Sequence, residues 1–364
     1  MGNCISEYTF LIRLVRLGIG TSKDAKISNA VDWVKLKALA DTQGLTAVVL
    51  DGLNRLPLNS LSAYGMPQMM RLEWIGEVLQ GEQTYKLHQE VATDIANLFN
   101  RNYIRTYVLK GRVIAECYPK PEHRVSSDMD CFLLPKQGEF DAWRLGNDLI
   151  KAKGFEVGEG FYKNSSFHLP GLLVENHQFL TPFRGNERLK QLERLLQSWI
   201  HGDTEPQRFE GTWLFRPPVM VSALFLIEHA YSHFLHEGLT WRMVLDWVLF
   251  SRKHKDEIDW ASFEAFVDEF GFRKFYDSFS RLGKYLMEEL SIERLEFRDK
   301  RMMEDIWAPL DLHESLQGVK AKFQLAGNYW RARWKYKYFT DMTWMRALME
   351  WVLGAVFDRN PKLN

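Results

Sequence analysis

From Glu7 to about Asn102 the apolar residues recur every three or four positions, as in Phe10, Leu11, Leu14, Leu17 and again in Val91, Ile95, Leu98, Phe99. That is the period of helices with one buried face. Gly18 and Gly20 are expected to stop the first helix, and Pro57, Gly65 and Pro67 to separate later ones. The run from Met69 to about Asn100 reads as one long helix, or two with a bend near Gly81. At Thr106 the texture changes. Thr106-Tyr107-Val108-Leu109 is β-prone and stops at Lys110-Gly111, and a helix starting at Arg112 is broken by Pro119 and Pro121. A second strand is expected from Ser127 to Leu134, closed by Pro135, then a helix from Asp141 to Lys153 ended by Gly154. Candidate strands follow at Phe155 to Val157, Ser166 to Leu169 and Leu172 to Phe179. Beyond Asn186 the helical period returns and lasts to Phe357, with Pro217-Pro218 opening one helix and Gly238 closing it. The pattern predicts an α+β chain in three regions: helical over 1–102, a small mixed α/β unit over 103–185, and a larger helical domain over 186–364.

Composition narrows the class. At 364 residues, 46% hydrophobic and 14% aromatic with 13 Trp, the chain has ample material for a core and is not disordered. Its 47 Lys+Arg balance 47 Asp+Glu, so the whole molecule has no surplus to steer it to nucleic acid or an anionic membrane. The longest apolar stretches, Val219 to Ile227 and Trp344 to Phe357, carry charges or fall short of the roughly 20 apolar residues of a bilayer crossing, so no spanning helix is expected. Cys4, Cys117 and Cys131 form no CxxC pair, which points to a reducing compartment. No basic-then-apolar leader opens the chain, and the location reads as cytoplasmic. Met1-Gly2-Asn3-Cys4-Ile5-Ser6 fits an N-acylation pattern, with the frayed start of a first helix as the alternative.

The strongest chemical feature is Asp128-Met129-Asp130 inside an apolar strand. Residues two apart on a strand share a face, so both carboxylates project side by side. Burying two like charges is unfavourable unless cations compensate, and two oxygen ligands at that spacing suit Mg²⁺. A solvated edge strand with two surface acids is the alternative. A strand ending in Lys110-Gly111 lies upstream, and a glycine turn that opens a helix lets backbone N–H groups approach a phosphate. A third acid, Glu175, interrupts Leu172-Leu173-Val174, where a strand should supply a core residue. Three acids converging beside a glycine turn suit two-metal phosphoryl or nucleotidyl transfer.

Val108-Leu109-Lys110-Gly111, Tyr118-Pro119, Arg124, Ser127-Asp128-Met129-Asp130 and Leu173-Val174-Glu175-Asn176-His177 together resemble the uncharacterised nucleotidyltransferase family, which has a DNA polymerase β-like core. The resemblance implies that Asp128 and Asp130 bind both metals, Mg²⁺ or Mn²⁺, and that Glu175 completes the nucleophile-side metal and helps deprotonate an acceptor hydroxyl. It places Gly111 against the triphosphate, within a nucleotide-side set of Lys110, Gly111, Arg112, Arg124, Ser127 and Arg242. The implied reaction moves an NMP from an NTP to an acceptor: a small molecule, a protein or an RNA end. The chain departs from the wider superfamily at Arg112, where Gly or Ser usually follows the turn, and at Cys131 after the second acid. Arg112 either replaces a small phosphate contact with a charged one or blocks the pocket.

Several residues carry two readings. Lys110 and Arg124 can hold phosphate oxygens or pair with nearby carboxylates. His168 and His177 can assist the acids or be structural. His229 and His233 have the i,i+4 spacing of zinc sites, but Ala230 stands where a metalloprotease needs Glu. Arg242 and Asp246 can pair within one helix, or the helix can close over the cleft so that Arg242 or His229 touches nucleotide. Tyr329 to Tyr338 interleaves aromatics with cations, as core packing or as a nucleic-acid or membrane surface. Two other functions remain open: a DxD sugar-nucleotide glycosyltransferase and a catalytically inactive binding protein on the same fold.

Overall fold

The computed structural model describes residues 7–23, 31–57, 65–307, 327, 330–357 and 363. The acylation pattern at Met1 to Ser6 lies outside them. Helices α1 (Glu7–Ile19), α2 (Trp33–Thr42), α3 (Thr46–Asn54) and α4 (Gln68–Arg101) precede a sheet built from β1 (Ile104–Val108), β2 (Asp128–Pro135), β3 (Val157–Phe161), β4 (Asn164–Leu169), β5 (Leu172–His177) and β6 (Leu214–Phe215). The short α5 (Arg112–Ala115) follows β1, and α6 (Ala142–Ala152) follows β2. Helix α7 (Glu187–His201) leads to β6, after which come α8 (Val219–His236), α9 (Trp241–Lys253), α10 (Trp260–Glu269), α11 (Arg273–Leu286), α12 (Phe297–Trp307), α13 (Arg333–Phe339) and α14 (Trp344–Phe357). This is the α+β architecture expected from the periodicity. Among the described residues no helix is long and apolar enough to cross a membrane.

The strand order is β3-β4-β5-β2-β1-β6. β2 lies at the centre, antiparallel to β1 and parallel to β5. Central strands are buried on both faces, which is why β2 reads as the unbroken apolar run Met129 to Leu134 around one acid.

Two boundaries differ from the sequence expectation. Gly18 lies inside α1, where it serves a helix contact. A Cβ on Gly18 would sit 2.2 Å from the Val48 carbonyl oxygen, and one on Gly52 would sit 2.1 Å from that of Leu14. The two glycines therefore let α1 and α3 pack backbone to backbone, and Gly20, at φ +82°, ends the helix. The other difference is β6, which the helical period after Asn186 concealed. Two residues are too few to show a period of two, yet Thr106 and Tyr107 pair with Leu214 and Phe215 and extend the sheet past residue 185. Helix α4 runs unbroken through Gly81 for 34 residues.

The aromatic and basic stretch near the chain end packs inward in part, with Trp330, Arg331, Arg333 and Lys337 exposed. Tyr336 and Phe339 are buried, and Lys335 is fully buried with its ammonium 2.7 Å from both Asp305 and the Phe234 carbonyl. Cys117 and Cys131 are free thiols.

Candidate active site

The register of β2 against β5 decides the site. Parallel pairing sets Asp128 opposite Leu173 and Asp130 opposite Glu175, so Asp128, Asp130 and Glu175 project from one face of the sheet. His177, two residues beyond Glu175, lies on that face as well. Asp130 and His177 are each 2% exposed, whereas the Glu175 side chain is 32% exposed. One oxygen or nitrogen from each of Asp130, Glu175 and His177 lies within 4.8 Å of the others.

Lys110 reaches this cluster because the chain leaving β1 stays bonded to β2 for one more residue, with the Leu109 N–H donating to the Asp130 carbonyl at 2.9 Å. Its ammonium then lies 3.0 Å from Asp130 Oδ2 and 3.8 Å from Asp128 Oδ2. Burial works against the Lys110 charge, but Asp130 and Asp128 outweigh it and hold the value above that of an ordinary lysine. Gly111 follows at φ +63° and ψ −104°, a conformation that L residues rarely adopt, and turns the chain so sharply that Arg112 leaves the acids. The Arg112 guanidinium stacks 4.6 Å from the Phe209 ring centre.

His177 is held between two acceptors. Its Nδ1 faces the Phe179 carbonyl at 3.2 Å and its Nε2 faces Asp130 Oδ1 at 2.9 Å. Acceptors on both ring nitrogens favour the doubly protonated form. Burial lowers the affinity of His177 for its second proton, and the bonds to Asp130 and Glu175 more than reverse that. Desolvation would likewise raise Asp130, but Lys110 and His177 hold it far below the usual carboxylate range. Asp128 moves the other way, raised by burial and by Asp130 and Glu175 despite Lys110. The Asn164 amide donates to Glu175 at 2.8 Å.

A cavity of about 200 Å³ opens beside the acids. Lys110, Ser127 and Asp128 line one side, and His229 and His233 from α8 with Arg242 from α9 line the other. His229 is half-buried and held well below an ordinary histidine by desolvation, Lys110 and His233. It is therefore neutral, with Nε2 3.4 Å from the Lys110 ammonium. His233 Nδ1 contacts Glu237 at 2.7 Å. Gly111 and Arg112 line a second cavity of about 30 Å³ that also touches Asp128, so Arg112 does not obstruct the larger one.

Arg124 contributes differently from a free phosphate ligand. Its guanidinium makes two bonds to Asp246, of 2.9 and 2.8 Å, and the Tyr118 hydroxyl donates to the same carboxylate at 2.7 Å. Arg242, one turn before Asp246, approaches it at 3.5 Å. Asp246 thus gathers the Tyr-Pro segment, the Arg before the DxD strand and the helical segment into one joint. The sequence showed only the i,i+4 pair, because nothing in a linear spacing marks a partner 122 positions away. His168 remains exposed on β4, outside the cluster.

The model of the uncharacterised nucleotidyltransferase family matches residues 29–288. The chain belongs to that family. The match spans the acids, the glycine turn, the Asp246 joint and the helices through α11, so the nucleotidyltransferase unit is larger than the sheet alone. No curated protein and no solved structure matches the chain.

Proposed function

We propose that the cavity beside Asp128 is the site of metal-dependent nucleotidyl transfer, in which an NMP passes from an NTP to an acceptor and pyrophosphate leaves. In bond terms, an acceptor oxygen joins the α-phosphorus and the bond from that phosphorus to the leaving pyrophosphate oxygen breaks. The observation that carries the reading is the register that sets Asp130 directly beside Glu175, with Asp128 on the same face.

The residues fit a divalent cation. Asp130 Oδ2 is buried, with the Lys110 ammonium beside it at 3.0 Å. Asp128, Asp130 and Glu175 would hold Mg²⁺ or Mn²⁺ through oxygen, while His177 keeps both nitrogens engaged and serves as a donor to Asp130. When bound, the cation supplies neutralisation of the charge that builds on the phosphates. The chain's own part is positioning: Lys110 and Arg242 offer positive charge along the cavity wall, Ser127 offers a hydroxyl, and Gly111 allows the backbone to turn close to a phosphate. Arg124 holds the wall through Asp246. The acceptor class, whether small molecule, protein or RNA end, is the part that experiment must supply.

The test is to incubate the protein with each α-labelled NTP, Mn²⁺ or Mg²⁺ and a cell extract, and to follow label transfer and pyrophosphate release. Loss of both in Asp128→Asn and Asp130→Asn supports the reading. Undiminished transfer in the double variant refutes it.

A further inference from the structure

We propose that Lys110 is a displaceable counter-cation: its ammonium holds the Asp128 and Asp130 carboxylates in the resting protein, and yields that place to a divalent ion by swinging into the adjoining cavity to meet the phosphate chain. This rests on the nucleotidyl-transfer reading above and adds to it an order of events and a second role for one side chain.

The geometry leaves little room for both cations. Lys110 Nζ lies 3.0 Å from Asp130 Oδ2 and 3.8 Å from Asp128 Oδ2, so it already occupies the neighbourhood of two of the carboxylates that would hold the ion. Keeping the ammonium there beside a divalent ion would crowd like charges at a largely buried site where His177 already donates to Asp130 from the other side. The hold on Lys110 is also an exchangeable one. It consists of an ion pair at 3.0 Å to Asp130 and a longer one at 3.8 Å to Asp128, contacts that a second cation can replace. An exit is present, because Lys110 itself lines the cavity of about 200 Å³, with Ser127 beside it and Arg242 across from it. His229 Nε2, 3.4 Å from the ammonium, is a neutral acceptor on that side. A lysine suits the task better than an arginine, being a compact charge on a flexible four-carbon stem.

Two measurements on the full chain test this, neither depending on turnover. Mn²⁺ binding, followed by the electron paramagnetic resonance of free Mn²⁺ without nucleotide, is compared between wild type and Lys110→Met. Removing the competing ammonium is expected to tighten Mn²⁺ at least tenfold. Equal or weaker binding by a variant with the wild-type circular dichroism spectrum overturns the proposal. In wild type, the reactivity of the Lys110 amine towards acetic anhydride is read by mass spectrometry. It is expected to be low, to rise several-fold with saturating Mn²⁺, and to fall again when inorganic tripolyphosphate is added with the metal. No rise with saturating Mn²⁺ overturns the proposal whatever the fate of the variant. If neither protein binds Mn²⁺, with or without tripolyphosphate, the metal-dependent reading itself fails and takes this one with it. Equal affinities in the two proteins remove the exchange alone.

Discussion

Arg124 and Asp246, 122 residues apart, meet in a buried pair joined by two N–H···O bonds. Arg124 comes from the loop before β2 and Asp246 from α9, so the pair fixes the helical wall of the cavity to the strand that carries the acids. Tyr118 adds a third bond to the same carboxylate.

Removing one member of that pair strands a buried charge, which typically costs about 3–5 kcal/mol. Asp246→Ala is expected to lower the unfolding free energy measured by urea titration by an amount in that range. Arg124→Met combined with Asp246→Leu should recover a large part of it, since apolar replacements leave no charge unpaired. A double variant less stable than Asp246→Ala would show that the pair contributes more than mutual compensation.

His123 ties the N-terminal helices to the core. Its Nδ1 lies 2.6 Å from Asp51 of α3 and its Nε2 2.9 Å from Glu82 of α4, with Lys120 also on Asp51. Burial lowers His123, but the two carboxylates prevail and its value is raised above 6.5. The clamp's contribution is thus fully present below about pH 6.5 and lost as pH rises through the folded-state value. Thermal melts of wild type should fall over that window, and those of His123→Phe should show a smaller slope. Parallel slopes would exclude the clamp as their source.

Glu228 on α8 is 1% exposed, and neither carboxyl oxygen has a hydrogen-bond partner among the described residues. Burial raises it to about 7, against a partial offset from Lys163. The folded state keeps this proton where the unfolded chain releases it, so stability is greatest below about 4.5 and declines as pH climbs to 7. Glu228→Gln should flatten that decline and stabilise the protein at pH 8 by something on the order of 2 kcal/mol. A variant that melts lower than wild type at pH 8 would contradict this assignment.

Gly111→Ala tests the turn. At φ +63° and ψ −104° a Cβ is strained whatever the space around it, and the nearest atom it would meet, Ser126 Oγ, lies at an ordinary 3.5 Å. The cost therefore comes from the backbone, about 1–3 kcal/mol. Urea unfolding should show that loss, and Mn²⁺ binding should change with it because the turn aims Lys110. Unchanged stability would mean that the turn relaxes.

Much of this arrangement was legible along the chain because it follows from periods. The alternation of β2 and β5 put Asp128, Asp130 and Glu175 on defined faces, and their convergence needed only a parallel pairing in the right register. Partnerships set by folding were not legible. For Arg124 the chain left phosphate contact and carboxylate pairing both open, since its partner arrives from a helix more than a hundred residues on. The role of His177 depended on a backbone carbonyl at Phe179, which no residue identity encodes. Gly18 looked like a helix stop because glycine serves both as terminator and as a point of close approach, and only the position of Val48 separates the two uses.

The two-residue strand Leu214–Phe215 makes the acid-bearing sheet dependent on the part of the chain that follows it. A fragment cut at residue 185 would strip Thr106 and Tyr107 of their outer neighbours and turn β1 into a bare rim, open to pairing with other chains. Excising the acid-bearing unit for separate study should therefore give an aggregating product, and the helical half should be regarded as part of the machine rather than as an appendage to it.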